Sequence, residues 1–219
     1  MTDFKEKAIA STMEEDITTL ELLRQIEEKR FESQRSFANQ VGIAVGLANS
    51  YIKRCVRKGW IKMSKTPARR YAYFITPKGF GEKSRLTADY LASSFRFYRL
   101  AREQCLECLR LCEEQEWRKV ALFGTSELAE IAALAARELG MELALLISEG
   151  HPQPSFADLP VKGPEVLSEM DAVLITDISH PQEVYDRLAA RIPEERILTP
   201  RVLNISRAPR KGASMGRSA

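Results

Sequence analysis

The hydrophobic pattern of the chain changes character near residue 118. Before that point apolar residues recur three and four positions apart, as in Ile17, Leu20, Leu23 and Ile26. That is the spacing of a helix with one buried face. Beyond it the pattern becomes short unbroken apolar runs, "VALF" and "AVLIT", each followed by a turn and an amphipathic stretch. Unbroken apolar strands alternating with helices imply a parallel sheet with right-handed crossovers. Two domains are therefore expected, an α+β domain first and an α/β domain with a small parallel sheet second.

The charge follows the same division. Residues 29–79 hold twelve basic side chains (Lys29, Arg30, Arg35, Lys53, Arg54, Arg57, Lys58, Lys62, Lys65, Arg69, Arg70 and Lys78) against the single acid Glu32, a net of +11. Residues 118–206 hold eight basic and fourteen acidic side chains, a net of −6. A merely solvated basic face would carry compensating acids, whereas a concentrated positive field is the footprint of phosphate-backbone binding. With 219 residues and 44% hydrophobic content the chain can bury a sizeable core. No run of 18 apolar residues and no signal-peptide pattern is present, so a soluble, cytoplasmic protein with no membrane partner is expected. Four cysteines without an extracellular signal do not read as a disulfide framework.

Within the basic half the punctuation is specific. Residues 1–15 are polar and expected to fray, and a helix is expected after them, with Thr18 and Glu21 spaced as a capping box. Ser33 is a plausible N-cap for a short helix carrying Phe37, Ala38 and Val41 on one face, ended by Gly42. A second helix is expected from Val45 to Arg57, burying Ala48, Ile52 and Cys55, with Gly59 closing it. "WIKMS" and "RRYAYFIT" then alternate as strands around a turn at Thr66-Pro67-Ala68. Two short helices, a tight turn and a hairpin with a cationic tip make a winged helix-turn-helix.

The run from Ser33 to Lys62 with "RRYAYFITPKG" resembles the winged-helix regulators of the MarR type, above all bacterial ones associated with exopolysaccharide genes. The matching positions are Ala38, Gly42, Asn49, Gly59, Tyr71-Ala72-Tyr73 and Thr76-Pro77-Lys78-Gly79. The resemblance covers residues 17–115. It departs at Ala44, where such proteins usually carry a Ser or Thr cap. It implies double-stranded DNA as partner and a homodimer formed through terminal helices. A recognition helix in a major groove would present Ala44, Val45, Leu47, Asn49, Ser50, Lys53, Arg54 and Arg57 outward. Asn49 would suit adenine, Val45 a thymine methyl, and Lys53 or Arg54 guanine or phosphate. Lys65, Arg69 and Arg70 on the wing would reach the adjacent backbone or minor groove, and Arg35 is a further candidate DNA contact.

Residues 79–117 read as one long helix with a seam of Leu91, Phe95, Tyr98, Arg102, Cys105, Leu109 and Cys112. Cys105, Cys108 and Cys112 share a face and could bind a metal or sense thiol chemistry, but a fourth ligand is missing and core packing is favoured. Beyond residue 118 the chain resembles a small Rossmann-like module of the kind that binds nucleotides or precedes acyltransferase domains. The turn "GTSELA" matches the glycine fingerprint only at Gly124 and, with alanine allowed, at Ala129. Gly124, Thr125, Ser126 and Glu127, with Glu149, Asp177 and His180 on later strand ends, are the candidate ligand residues for a nucleotide or sugar-phosphate effector.

The expected boundaries are 1–79 for the winged helix-turn-helix, 80–117 for a linking and dimerising helix, 118–206 for the Rossmann-like domain and 207–219 for a basic, disordered tail. No nucleophile–base pair, metal triad or complete phosphate loop is visible, so no enzyme activity, metal or cofactor is expected. The leading reading is a dimeric transcriptional regulator with a sensor or assembly domain. The alternative is a nucleotide-sugar or acyl-transfer accessory enzyme whose winged helix serves protein interaction, and a third is a purely structural interaction protein.

Overall fold

The computed structural model describes residues 2–31, 33–65, 71–150 and 154–207, with side chains from Glu14 onward other than Lys65. It divides into two compact units, residues 1–95 and 96–219.

The N-terminal unit begins with helix α1 (Thr2–Glu27), which runs through the expected fray and through the expected capping box. Thr18 and Thr19 are buried in mid-helix, and the Thr19 hydroxyl donates to the Glu15 carbonyl at 2.8 Å. Glu21 instead accepts from Gln25 and pairs with Arg24. The box loses because Leu22, Leu23 and Ile26 are driven into the core, and helices in proteins are held chiefly by such a face.

Helices α2 (Gln34–Val41) and α3 (Val45–Arg57) follow as the sequence pattern predicts. The Ser33 hydroxyl accepts the Ser36 amide at 3.0 Å, which caps α2, and Gly42 ends the helix with φ 71°. Strands β1 (Ile61–Lys65) and β2 (Tyr71–Ile75) form an antiparallel pair, with Ile61 opposite Ile75 and Met63 opposite Tyr73. Leu22, Leu23 and Ile26 meet Phe37, Ala38, Ala48, Ile52, Cys55, Trp60 and Ile61 in one core, joined by Leu86. The Phe31 ring meets Tyr73 edge-on at 5.1 Å, which fastens the hairpin to the helices.

Thr76 joins the hairpin to helix α4 (Pro77–Glu114). Its amide donates to the Trp60 carbonyl at 3.0 Å, and its hydroxyl donates to the carbonyls of Gly59 (2.6 Å) and Trp60 (3.1 Å). The same hydroxyl accepts the Gly79 amide at 3.0 Å, capping α4, with Pro77 in the favoured first position. The approach is so close that a Cβ on Gly79 would lie 1.9 Å from the Trp60 oxygen.

The far end of α4 belongs to the C-terminal unit. There Ala101, Cys105, Leu106, Leu109 and Cys112 are buried against the chain's own strands and next helix. The expected seam is therefore two surfaces: Leu91, Phe95 and Tyr98 are exposed, whereas Cys105, Leu109 and Cys112 already have partners.

That unit contains β3 (Val120–Phe123), α5 (Glu127–Leu139), β4 (Leu145–Ile147), β5 (Ser155–Phe156), β6 (Leu159–Lys162), β7 (Ala172–Ile175), α6 (Pro181–Ala189) and β8 (Ile197–Leu198). Among the described residues the sheet order is β5-β6-β4-β3-β7-β8, parallel throughout except for the β5–β6 hairpin. Every residue of β3 and β7 is buried, which their unbroken apolar sequence requires. One face packs against α4 and α5, the other around Val184, Tyr185 and Leu188 of α6. The sequence reading missed β5 and β6. Their turn holds Ala157 (φ 51°) and Asp158 (φ 63°), the geometry of a tight hairpin without the glycine that usually announces it.

Asp171, just before β7, accepts the amides of Lys119 (2.8 Å) and Arg118 (2.9 Å) at the start of β3. Those two bonds, the Lys119 one foremost, hold its carboxyl below the usual carboxylate range. A depressed carboxylate contributes stability above its unfolded pKa and loses it as pH falls through the folded value. Asp171→Asn should therefore lower the melting temperature at pH 7, and the gap to the unmodified protein should close as pH drops below about 4. In the other unit, Gly79→Ala should destabilise by about 3 kcal/mol, because a backbone oxygen occupies the space. Urea unfolding in a Trp117→Phe background, followed by the fluorescence of the remaining Trp60, measures it.

Candidate nucleic-acid interface

Helix α3 buries Ala48, Tyr51, Ile52 and Cys55, which fixes what the opposite side presents. Gly46, Ser50, Lys53 and Arg57 follow one another at spacings of four, three and four, and all are exposed. Val45 and Leu47 flank the stripe at its start, 44% and 47% exposed. The helix begins at Ala44 with no side-chain cap, as the sequence departure at that residue predicts. Arg35 stands exposed in the first turn of α2.

Three of the expected contacts have neighbours of their own within the fold. Arg54, read as a base or phosphate contact, is turned toward α1: its guanidinium meets the Glu15 carboxylate at 2.6 Å and the Thr19 hydroxyl at 2.8 Å, and lies over the Tyr51 ring. Ser50 donates its hydroxyl to the Gly46 carbonyl at 3.0 Å. Asn49 is half-buried and lines a groove of about 350 Å³ together with Gln34, Lys53 and Arg57 on the helical side and Met63, Tyr71 and Tyr73 on the hairpin. The sequence reading did not find this groove, because it arises where hairpin residues meet α3 across the fold. Arg69, Arg70 and the Lys65 side chain lie outside the described residues.

Neither α2, α3, β1 nor β2 carries an acid. The field of Arg35, Lys53, Arg57 and Lys62 is thus uncompensated on the elements that bear it, and Lys58 stacks over the Trp60 ring at 4.8 Å.

In the C-terminal unit the strand order reverses between β3 and β7, the place where open parallel sheets take ligands. The two turns there are bonded to one another. The Ser126 hydroxyl accepts the Leu128 amide and donates to the Thr176 carbonyl, while the buried Thr176 hydroxyl donates to the carbonyls of Phe123 (3.0 Å) and Gly124 (2.7 Å). A Cβ on Gly124 (φ 106°) would lie 2.7 Å from the Asp177 backbone, so the space beside this glycine is filled by the chain itself. Asp177 accepts the amides of Ser179 (2.9 Å) and His180 (2.8 Å), closing the turn that leads into α6. Thr125 is half-buried and Glu127 is exposed in the first turn of α5. Glu149 pairs with Arg187 of α6 at 2.9 Å. Gly124, Ser126 and Asp177 are thus brought together by the fold's own bonds. Glu149 is engaged elsewhere, by Arg187.

With this geometry in view, the family described as winged helix-turn-helix DNA-binding matches residues 15–62, from α1 through α3 into β1. The N-terminal unit carries a winged helix-turn-helix of the DNA-binding kind. No curated protein matches the chain. No helix among the described residues is long and apolar enough to cross a membrane.

The cysteine face of α4 resolves on burial. Cys105 and Cys112 are fully buried, and Cys108 is half-buried beside them. Burial pushes the thiols of Cys105 and Cys112 up to about 12 and that of Cys108 up to about 11. No group of three or more metal-ligating side chains is assembled among the described residues. A thiol so raised has almost no thiolate at neutral pH, and the thiolate is the reactive form. Iodoacetamide at pH 8 should therefore leave Cys55, Cys105 and Cys112 unmodified in the folded protein and label them once urea unfolds it, as intact-mass spectrometry reads out.

Proposed function

We propose that the chain is a sequence-specific, dimeric transcriptional regulator of a MarR-like kind, with a Rossmann-like C-terminal domain that serves assembly rather than catalysis. The observation that carries the reading is the uncovered stripe on α3, where Lys53 and Arg57 stand exposed on elements without a single acid. A recognition helix needs such a face: cations to fix its register on phosphates, and side chains between them to meet base edges.

Dimer formation is supported by the middle of α4, where Tyr90, Leu91, Phe95, Phe97, Tyr98 and Leu100 are between 39% and 59% exposed. So many large apolar groups on one helix mark a surface for a protein partner. The Rossmann-like reading rests on the strand order and on its reversal between β3 and β7. Assembly is better supported than the sensing of a nucleotide or sugar phosphate, because such a ligand would have to displace the bonds of Ser126 and the close contact at Gly124.

Fluorescence anisotropy with a mixed-sequence duplex tests the central claim. The double variant Lys53→Ala, Arg57→Ala should bind at least tenfold more weakly at about 0.1 M salt, with an unchanged melting curve because both side chains are exposed. Equal binding by the variant refutes the docking of α3. A monomer in sedimentation at micromolar concentration refutes the dimer.

A further inference from the structure

The first turn of α3 is chemically unlike a surface that reads bases by hydrogen bonds. Its outward residues are Ala44, Val45, Gly46 and Leu47. The nearest hydroxyl, that of Ser50, is donated to the Gly46 carbonyl, and Asn49 is half-buried in the wall of the groove beside the hairpin. What remains exposed there is two branched aliphatic side chains with a glycine between them.

The fold gives no reason for that glycine. Gly46 does not have the positive φ that would exclude other residues, and a Cβ built on it meets nothing within 4 Å. Glycine inside an exposed helix costs stability relative to alanine, so local structure would favour alanine here. A missing side chain in the middle of an exposed stripe has one further effect: it lets another surface come close to the helix backbone.

The major groove offers one apolar feature to such a surface, the C5-methyl group of thymine. We infer that the first turn of α3 reads thymine methyl groups. Val45 and Leu47 lie against the methyls, Gly46 admits the helix backbone to the distance those contacts need, and Lys53 and Arg57 further along the stripe hold the phosphates. The inference rests on the DNA-binding reading above and assigns base discrimination to apolar contact in place of Asn49 and Ser50.

The test uses the full chain and a duplex selected by it from a random library, compared with the same duplex carrying uracil for thymine, which removes only the methyls. The unmodified protein should bind the uracil duplex about fourfold more weakly for each methyl contacted. Val45→Ala and Leu47→Ala should bind the two duplexes more nearly alike, and both positions are exposed, so folding is not at risk. Gly46→Ala should raise the melting temperature and yet weaken binding to the thymine duplex. Equal affinity of the unmodified protein for thymine and uracil duplexes overturns the inference while leaving DNA binding intact. So does a Gly46→Ala variant that binds as tightly as the original. Failure to bind any duplex overturns the DNA-binding reading itself, and this one with it.

Discussion

The Trp60 carbonyl is the point on which the winged unit is hung. It receives the amide and the hydroxyl of Thr76, and the backbone of Gly79 lies against it where no side chain would fit. Three elements meet there: the turn that ends α3, the strand that begins β1, and the first turn of α4. The three hydrogen bonds from Thr76 to Gly59 and Trp60 close the base of the hairpin where α3 ends and α4 begins. The exposed stripe of α3 and the hairpin residues Met63, Tyr71 and Tyr73 meet along one groove.

Much of this was legible in the sequence where local chemistry and tertiary packing agree. Ser33 and Gly42 bound α2 because a hydroxyl cap and a left-handed glycine act over three or four residues. The buried strands of the second unit were legible because a strand covered on both faces has to be apolar throughout. The failures have physical causes too. Thr18 and Glu21 carry the local signature of a helix start, but Leu22, Leu23 and Ile26 reward continuation of the helix through them. The β5–β6 hairpin turns on Ala157 and Asp158 in a conformation that sequence assigns to glycine and asparagine. The direction of Arg54 depends on Glu15, 39 positions away in the chain, and no periodicity encodes that.

In the second unit the same kind of close backbone contact has the opposite result. Gly124 brings the turn after β3 onto Asp177, and Ser126 and Thr176 lock the two turns together. Where a wider turn would leave room beside the glycine, here the chain itself fills it. The sheet keeps the order that elsewhere accompanies ligand binding, while its residues at the reversal are engaged in holding β3 to β7.

The pairing of Arg54 with Glu15 reaches beyond local geometry. Condensed cations leave DNA when protein charges replace them, and their number sets how steeply affinity falls with added salt. Arg54 is engaged by Glu15, Arg30 by Glu28, and Lys58 is drawn over an indole ring. The two paired with carboxylates count fully in the composition and less in that exchange, whereas Lys58 keeps its whole charge. The ionic-strength dependence of DNA binding thus follows the positive charges left free to meet phosphates, not the formal charge of the basic segment.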